Sequence, residues 1–181
     1  MNTKKPLILI SNDDGYHAKG INSLIDMLRD IADIIVCAPE SARSGFATAF
    51  SATVPLRLKL RRDEEGMQMW SCNGTPVDCV KLALQELCVD RLPDMILGGI
   101  NHGDNASVNV HYSGTMGVTI EGCMKYIPSI GFSLCDFASD ADFEPLRPYV
   151  RQIVQKVLAE GLPKGVCLKR ELPEAKGVQG R

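Results

Sequence analysis

Short apolar runs alternate along this chain with longer stretches in which apolar residues recur every three or four positions. That alternation is the pattern of an α/β chain with a mostly parallel sheet. Leu7-Ile8-Leu9-Ile10 is a continuous β-rich run, as expected of a central strand covered on both faces. From Ala18 the period changes, and Ile21, Leu24, Ile25, Leu28 and Ile31 fall on one helical face. Asp33 to Cys37 predicts a second strand, closed by Ala38-Pro39. Val54 to Leu60 and Met67 to Ser71 both alternate, and the charged stretch Arg61 to Gly66 between them predicts a turn. The expectation is a β-hairpin inserted where a helix would otherwise lie. Thr75-Pro76 has the form of an N-cap followed by Pro at the first helical position, opening a helix through Val77, Val80, Lys81, Leu84 and Leu87. Met95-Ile96-Leu97 predicts the next buried strand, and a helix from Ser113 or Gly114 carries Val118, Ile120, Cys123 and Met124. Ile127 to Phe132 is a fifth core segment, and Phe143 to Leu158 a last helix. With no repeat, low-complexity tract or linker, the expected architecture is a single three-layer α/β/α sandwich over residues 1–181.

Composition narrows the class. Twenty Lys and Arg against 22 Asp and Glu give a net charge of −2, which argues against a protein that binds nucleic acid polymers electrostatically. Five Phe, four Tyr and one Trp supply little of the aromatic surface that single-stranded nucleic-acid platforms use. The seven cysteines are odd in number, never spaced as CxxC, and embedded in apolar runs such as Ile34-Ile35-Val36-Cys37. They fit neither a disulfide framework nor a zinc site, and are expected as small buried residues in a reducing compartment. Only about five apolar residues separate Met1–Lys5 from Asn12, fewer than a secretory or membrane segment needs. The expectation is a cytoplasmic protein with no membrane partner.

The polar residues collect at strand ends. Asn12-Asp13-Asp14-Gly15 follows the first strand, Ser41-Ala42-Arg43-Ser44-Gly45 the second, and Asn101-His102-Gly103-Asp104-Asn105 the Met95 strand. In an open parallel sheet such loops form the ligand crevice at the carboxyl ends of the strands. Adjacent carboxylates directly after a buried strand repel one another unless a cation or donor lies between them. The alternative is a solvated turn with Asp14 capping the next helix. A hard cation would complete its shell with neutral oxygens, which Ser44 and Asn101 offer, and an all-oxygen set favours Mg²⁺ or Mn²⁺ over Zn²⁺. Such a centre can polarise a phosphate ester and lower the pKa of a water. Tyr112-Ser113-Gly114-Thr115 opens a helix with small hydroxyl residues; its free N–H groups suit either an anion or a plain N-cap. Asn105 can add a side-chain N–H. His102 and His111 lack a partner at metal-ligand spacing.

Absences prune the field. There is no GxGxxG after the first strand, no GxxxxGK[ST] and no GxSxG, which disfavours dinucleotide, P-loop and α/β-hydrolase chemistry. Asp13-Asp14 is not the DxD pair of aspartyl-phosphate phosphatases. A receiver-like regulatory domain would need a phosphoacceptor Asp at a later strand end, where this chain has Gly98, Gly99 and Asn101.

Six linked motifs then coincide in order: Ser11-Asn12-Asp13-Asp14-Gly15; Ala38-Pro39 through Arg43-Ser44-Gly45; Gly74-Thr75-Pro76-Val77-Asp78-Cys79-Val80; Gly99-Ile100-Asn101-His102-Gly103-Asp104-Asn105; Tyr112-Ser113-Gly114-Thr115 with Glu121-Gly122; and Ile127-Pro128-Ser129-Ile130. From about Leu7 to Ser133 the chain resembles the SurE (survival protein E) nucleotidases. The resemblance implies a Rossmann-like fold and a divalent-metal-dependent phosphomonoesterase acting on nucleoside 5'- and 3'-monophosphates, with some exopolyphosphatase activity. It implies Asp13, Asp14, Ser44 and Asn101 as ligands of one Mg²⁺ or Mn²⁺ per subunit. It implies Asn105, Ser113, Gly114 and Thr115 as phosphate contacts; the expected reaction is attack by metal-bound water, steered by Asp13 or Asp14. A homodimer or homotetramer is expected. Two departures stand out: Lys169-Arg170-Glu171-Leu172-Pro173 replaces an Asn-Val-Asn-like stretch, and Asn109 stands where the family often has an acid. The family's C-terminal hairpin and arm are expected to be missing in part. The rival expectation is a metal-dependent nucleotide-binding or receiver-like regulatory domain without turnover.

Overall fold

A computed structural model describes residues 4–103, 107–136, 138 and 140–172. Its elements, in chain order, are β1 (Leu7–Ser11), α1 (Lys19–Leu28), β2 (Asp33–Pro39), β3 (Leu58–Glu64), β4 (Met67–Cys72), α2 (Pro76–Glu86), β5 (Met95–His102), α3 (Gly114–Met124), β6 (Ser129–Leu134), α4 (Arg147–Glu160) and β7 (Leu168–Leu172). The strands form one sheet in the order β3-β4-β2-β1-β5-β6-β7. Every pairing is parallel except β3 with β4. The chain thus winds outward from β1 through β2 to β4, then resumes on the other side of β1 at β5. That reversal between β1 and β5 is where an open α/β sheet leaves a crevice at its carboxyl edge.

Two apolar layers hold the sandwich together. Ile8, Ile10, Met95 and Leu97 face α1 and α4, joining Ile21, Leu24, Val150 and Val154 in one core. Their neighbours Leu9 and Ile96 face α2 and α3 and pack with Cys37, Val80 and Val118. Cover on both faces explains why Leu7–Ile10 of β1 and Met95–Leu97 of β5 are apolar at consecutive positions rather than at every second one. Buried Glu121 of α3 takes a 2.9 Å hydrogen bond from Lys81 Nζ, tying α3 to α2. Among the described residues no helix is long and apolar enough to cross a membrane, and no disulfide joins the cysteines.

The expected boundaries of the hairpin and of the last helix shift. The hairpin strand begins at Leu58, not Val54, and runs through the charged residues to Glu64. The turn therefore shrinks to Glu65-Gly66, with Gly66 at φ +72°. Charge there marks a sheet edge, where it discourages pairing with another chain, rather than a turn. The last helix starts at Arg147, after a 3₁₀ turn over Glu144–Leu146, because Pro145 and Pro148 lack the N–H groups a longer helix would use. The final strand begins at Leu168.

Candidate functional site

The loop after β1 is built by its own side chains. Asn12 donates its amide Nδ2–H to Gly15 O at 2.9 Å and accepts from Gly15 N at 3.2 Å. The turn is thereby locked with Gly15 at φ +96°, a value that favours glycine. Asp13 and Asp14 occupy the centre of this turn, outside the strand alternation that would separate them. Arg43 N donates to Asp13 O at 2.7 Å and Tyr16 N to Pro39 O at 3.1 Å, so the β1 and β2 loops are stitched together.

Asp13 is almost fully buried, at 4% exposure. Its Oδ1 accepts from Thr115 Oγ1 at 2.8 Å. Burial pushes its pKa up, while that hydroxyl and the Gly114 and Thr115 N–H groups oppose the rise. These N–H groups belong to the first turn of α3, where backbone donors lack helical partners and favour a negative charge. Asp14 is less enclosed. Burial first, and then the neighbouring charge of Asp13, push its pKa up to about 6, opposed by the His102 N–H and imidazole. Burial disfavours ionisation of both carboxylates, and at Asp14 the charge of Asp13 adds to it, leaving an electrostatic gap that positive charge would fill.

The opposite wall comes from β5. Asn101, 8% exposed, donates Nδ2–H to Gly103 O at 2.8 Å, which fixes the amide and leaves its oxygen as the group available to a cation. Ser11 pairs with Gly98 across β1 and β5. A side chain at Gly98 would begin 2.6 Å from Thr115 O, so only glycine lets α3 settle close enough for Thr115 to reach Asp13. Ser44 lies on the exposed turn after β2, one residue beyond Arg43.

Sequence reasoning brought Asp13, Asp14, Asn101 and the start of α3 to one place, and the structure gathers them at the switch point. Ser113 is the N-cap of α3, its side chain accepting from Met116 N. Thr115 turns its hydroxyl to Asp13. Asn105 lies outside the described residues. Asn12, which locks the turn, has no role in the sequence reading, and Arg43, read there as a solvated side chain or a phosphate contact, has a buried Nε with no hydrogen-bond partner among the described residues. The only signal available was that both sit in loops dense with polar residues. The buried Nε2 of His102 likewise has no hydrogen-bond partner among the described residues, and its ring meets Phe143 edge-on at 5.8 Å. Among the described residues no group of three or more His, Cys, Asp or Glu could hold a metal ion, so a cation here would rely on two carboxylates and neutral oxygens. Shallow clefts at Leu84, Leu92 and Lys125, and at Cys123, Tyr126 and Val166, lie near the C-terminal end of α3, away from this crevice.

Sheet order, helical layers and an acidic crevice at the reversal of strand order define an α/β protein of the Rossmann-like class. The chain belongs to the survival protein SurE family, whose model matches residues 8–180. It is 54% identical over 180 residues to a 5'-nucleotidase SurE of Bacteroides thetaiotaomicron, covering 99% of this chain and 69% of that one. A 5'-nucleotidase SurE of Phocaeicola vulgatus is also 54% identical, over 99% of this chain and 70% of its own length. The crystal structure of the Sure protein from Aquifex aeolicus matches with a TM-score of 0.83 at 36% identity, covering 93% of this chain and 66% of that one.

Proposed function

We propose that this chain is a phosphomonoesterase that hydrolyses nucleoside 5'-monophosphates, and 3'-monophosphates, to nucleoside and phosphate. A divalent ion, Mg²⁺ or Mn²⁺, would be held by Asp13, Asp14, Asn101 and Ser44. The observation that carries this reading is the like-charged pair of Asp13 and Asp14, desolvated and set against the first turn of α3 in a chain of the SurE family. The donor set fits a hard cation: two carboxylate groups, an amide oxygen left over by the bond to Gly103, and a serine hydroxyl. When bound, such an ion supplies positive charge to a phosphate ester and lowers the pKa of a water.

The chain's own residues divide the remaining work. Asp13 is committed to Thr115 and the α3 N–H groups, and serves as the fixed ligand. Asp14, half-exposed, has the open face and orients the attacking water. Ser113, Gly114 and Thr115 form the rim nearest the phosphate, and Asn105 is the fourth residue assigned to bind it. Cysteines embedded in apolar runs such as Ile34-Ile35-Val36-Cys37 support a cytoplasmic setting, and this single domain assembles as a homodimer or homotetramer.

The test is phosphate release from AMP, GMP and their 3' isomers, with Mn²⁺ or Mg²⁺ and with chelator. Metal-dependent release that Asp13→Asn lowers by about a hundredfold or more supports the reading, a magnitude in line with losing a group that stabilises transition-state charge. Metal-dependent nucleotide binding without release would replace it with a binding module. Acid-labile phosphate retained on the protein would replace it with a receiver-like domain.

A further inference from the structure

We infer that Phe46 is the platform on which the nucleobase of the substrate stacks, and that it makes the site prefer nucleotides to phosphate esters lacking a base. This rests on the nucleotidase reading above and adds to it the element that recognises the base. Phe46 is 43% exposed although it sits on a segment tied down along its length. Its N–H donates to Arg43 O at 3.3 Å, and its carbonyl accepts from Ala49 N at 2.9 Å. Ala49 O accepts from Thr75 Oγ1 at 2.7 Å, and Ser51 Oγ donates to Asp78 at 2.7 Å. Glycine at 117 lets α3 press against Ala47 O, where a side chain would clash. The ring is thus presented by a backbone that needs little further ordering, which removes a main cost of binding.

Position and chemistry agree. Phe46 is two residues from Ser44, so their Cα atoms lie within about 7 Å, and in a nucleotide only the ribose separates phosphate from base. The Arg43 guanidinium stacks on the ring, with Cζ 5.6 Å from its centroid. The Arg43 backbone N–H is bound to Asp13 O, and its Nη2 donates to Asn73 O at 3.3 Å. One end of the stack is thereby anchored to the acidic pair, while the exposed part of the ring is available to a flat, polarisable group. A single exposed aromatic is unremarkable on most surfaces; here it is pre-positioned beside the crevice with a cation stacked on it. Base–aromatic stacking tolerates any base, so this platform favours nucleotides as a class without choosing among purines and pyrimidines.

The experiment compares kcat/KM for AMP and for ribose 5-phosphate with Mn²⁺ in the wild type, Phe46→Ala, Phe46→Trp and Tyr112→Ala. The expected result is that Phe46→Ala lowers the AMP to ribose 5-phosphate ratio by about tenfold, mainly through the KM for AMP, and that Phe46→Trp restores it. Equal losses on both substrates, an unaltered ratio, or a selective loss in Tyr112→Ala instead would each overturn the proposal. Should the wild type release phosphate from neither substrate, the nucleotidase reading fails by itself. The platform is then judged by calorimetric binding of AMP with Mn²⁺: about tenfold weaker binding by Phe46→Ala supports it, and equal or undetectable binding by the wild type and variant overturns it.

Discussion

A methyl group on residue 114 would stand 2.5 Å from Asp13 Cβ and 3.0 Å from Asp13 Oδ2. At that distance one of the two must move, and Asp13 is the side chain that Thr115 and the α3 N–H groups are holding in place. Gly114→Ala is therefore expected to displace the carboxylate more than it unfolds the protein. Overpacking of this kind costs about 1–3 kcal/mol, whereas a misplaced ligand is felt in the site. The expected outcome is at least a tenfold loss of Mn²⁺ affinity by calorimetry, with a largely unaltered far-ultraviolet circular dichroism spectrum. Unchanged affinity would show that Asp13 is not held through this contact. At this scale the acidic pair is legible in the sequence, because two carboxylates right after a buried apolar run demand an explanation. The Thr115 contact is not legible. A small hydroxyl at a helix start suggests an N-cap or an anion donor, and only the close approach of α3 to Gly98 aims it at a carboxylate 102 positions away.

Elements follow the same division between local and tertiary information. Strands β1, β2, β4 and β5 and helices α1, α2 and α3 are marked by apolar period and caps, and they lie close to their expected places. The extent of β3 is not so marked, because an edge strand is defined by what it pairs with, and the charges of its second half mimic a turn. The cap of α2 is fuller than Thr75-Pro76 alone predicts. Thr75 Oγ1 accepts from Asp78 N at 3.1 Å while Asp78 Oδ2 accepts from Thr75 N at 2.8 Å, a reciprocal capping box. Asp78 also accepts from Ser51 N at 2.8 Å, so one carboxylate starts α2 and secures the segment bearing Phe46. Burial raises the pKa of Asp78, but the bonds from Ser51 and Thr75 outweigh it and hold the value below normal. A depressed carboxylate contributes stability above its unfolded pKa, about 4, and loses it as pH falls toward the folded value. Asp78→Asn is expected to cost about 1–2 kcal/mol at pH 7. In urea unfolding at pH 7, 5 and 3, the gap between wild type and variant should persist at pH 5 and narrow at pH 3. A gap independent of pH would mean that the charge of Asp78 contributes nothing.

The crevice exists because the whole sheet is wound outward in two directions from β1, and no single element encodes it. The sequence suggested it indirectly, through three polar loops following three apolar strands, yet the order in which those strands lie side by side is a property of the packed molecule. The same global arrangement sets a stability conflict. Folding moves the adjacent Asp13 and Asp14 into a partly desolvated place, where burial and, at Asp14, the charge of Asp13 raise the cost of ionisation, an expense borne by the fold in the absence of a cation. Asp14→Asn removes one charge of the pair. Without divalent ions it is therefore expected to raise stability by about 1 kcal/mol, a figure reduced by solvent screening of the half-exposed group. A cation that binds only the folded chain reverses the order. At a hundred times its dissociation constant it adds about 2.7 kcal/mol, or roughly 5–10 °C in the thermal midpoint of a chain this size. Thermal unfolding with chelator and then with saturating Mn²⁺ should show the variant ahead of the wild type in the first condition and behind it in the second. Only a site that both repels itself and binds a cation predicts that crossing. A variant that stays below the wild type in both would mean that Asp14 is a structural residue, and parallel shifts would mean that the ion binds elsewhere.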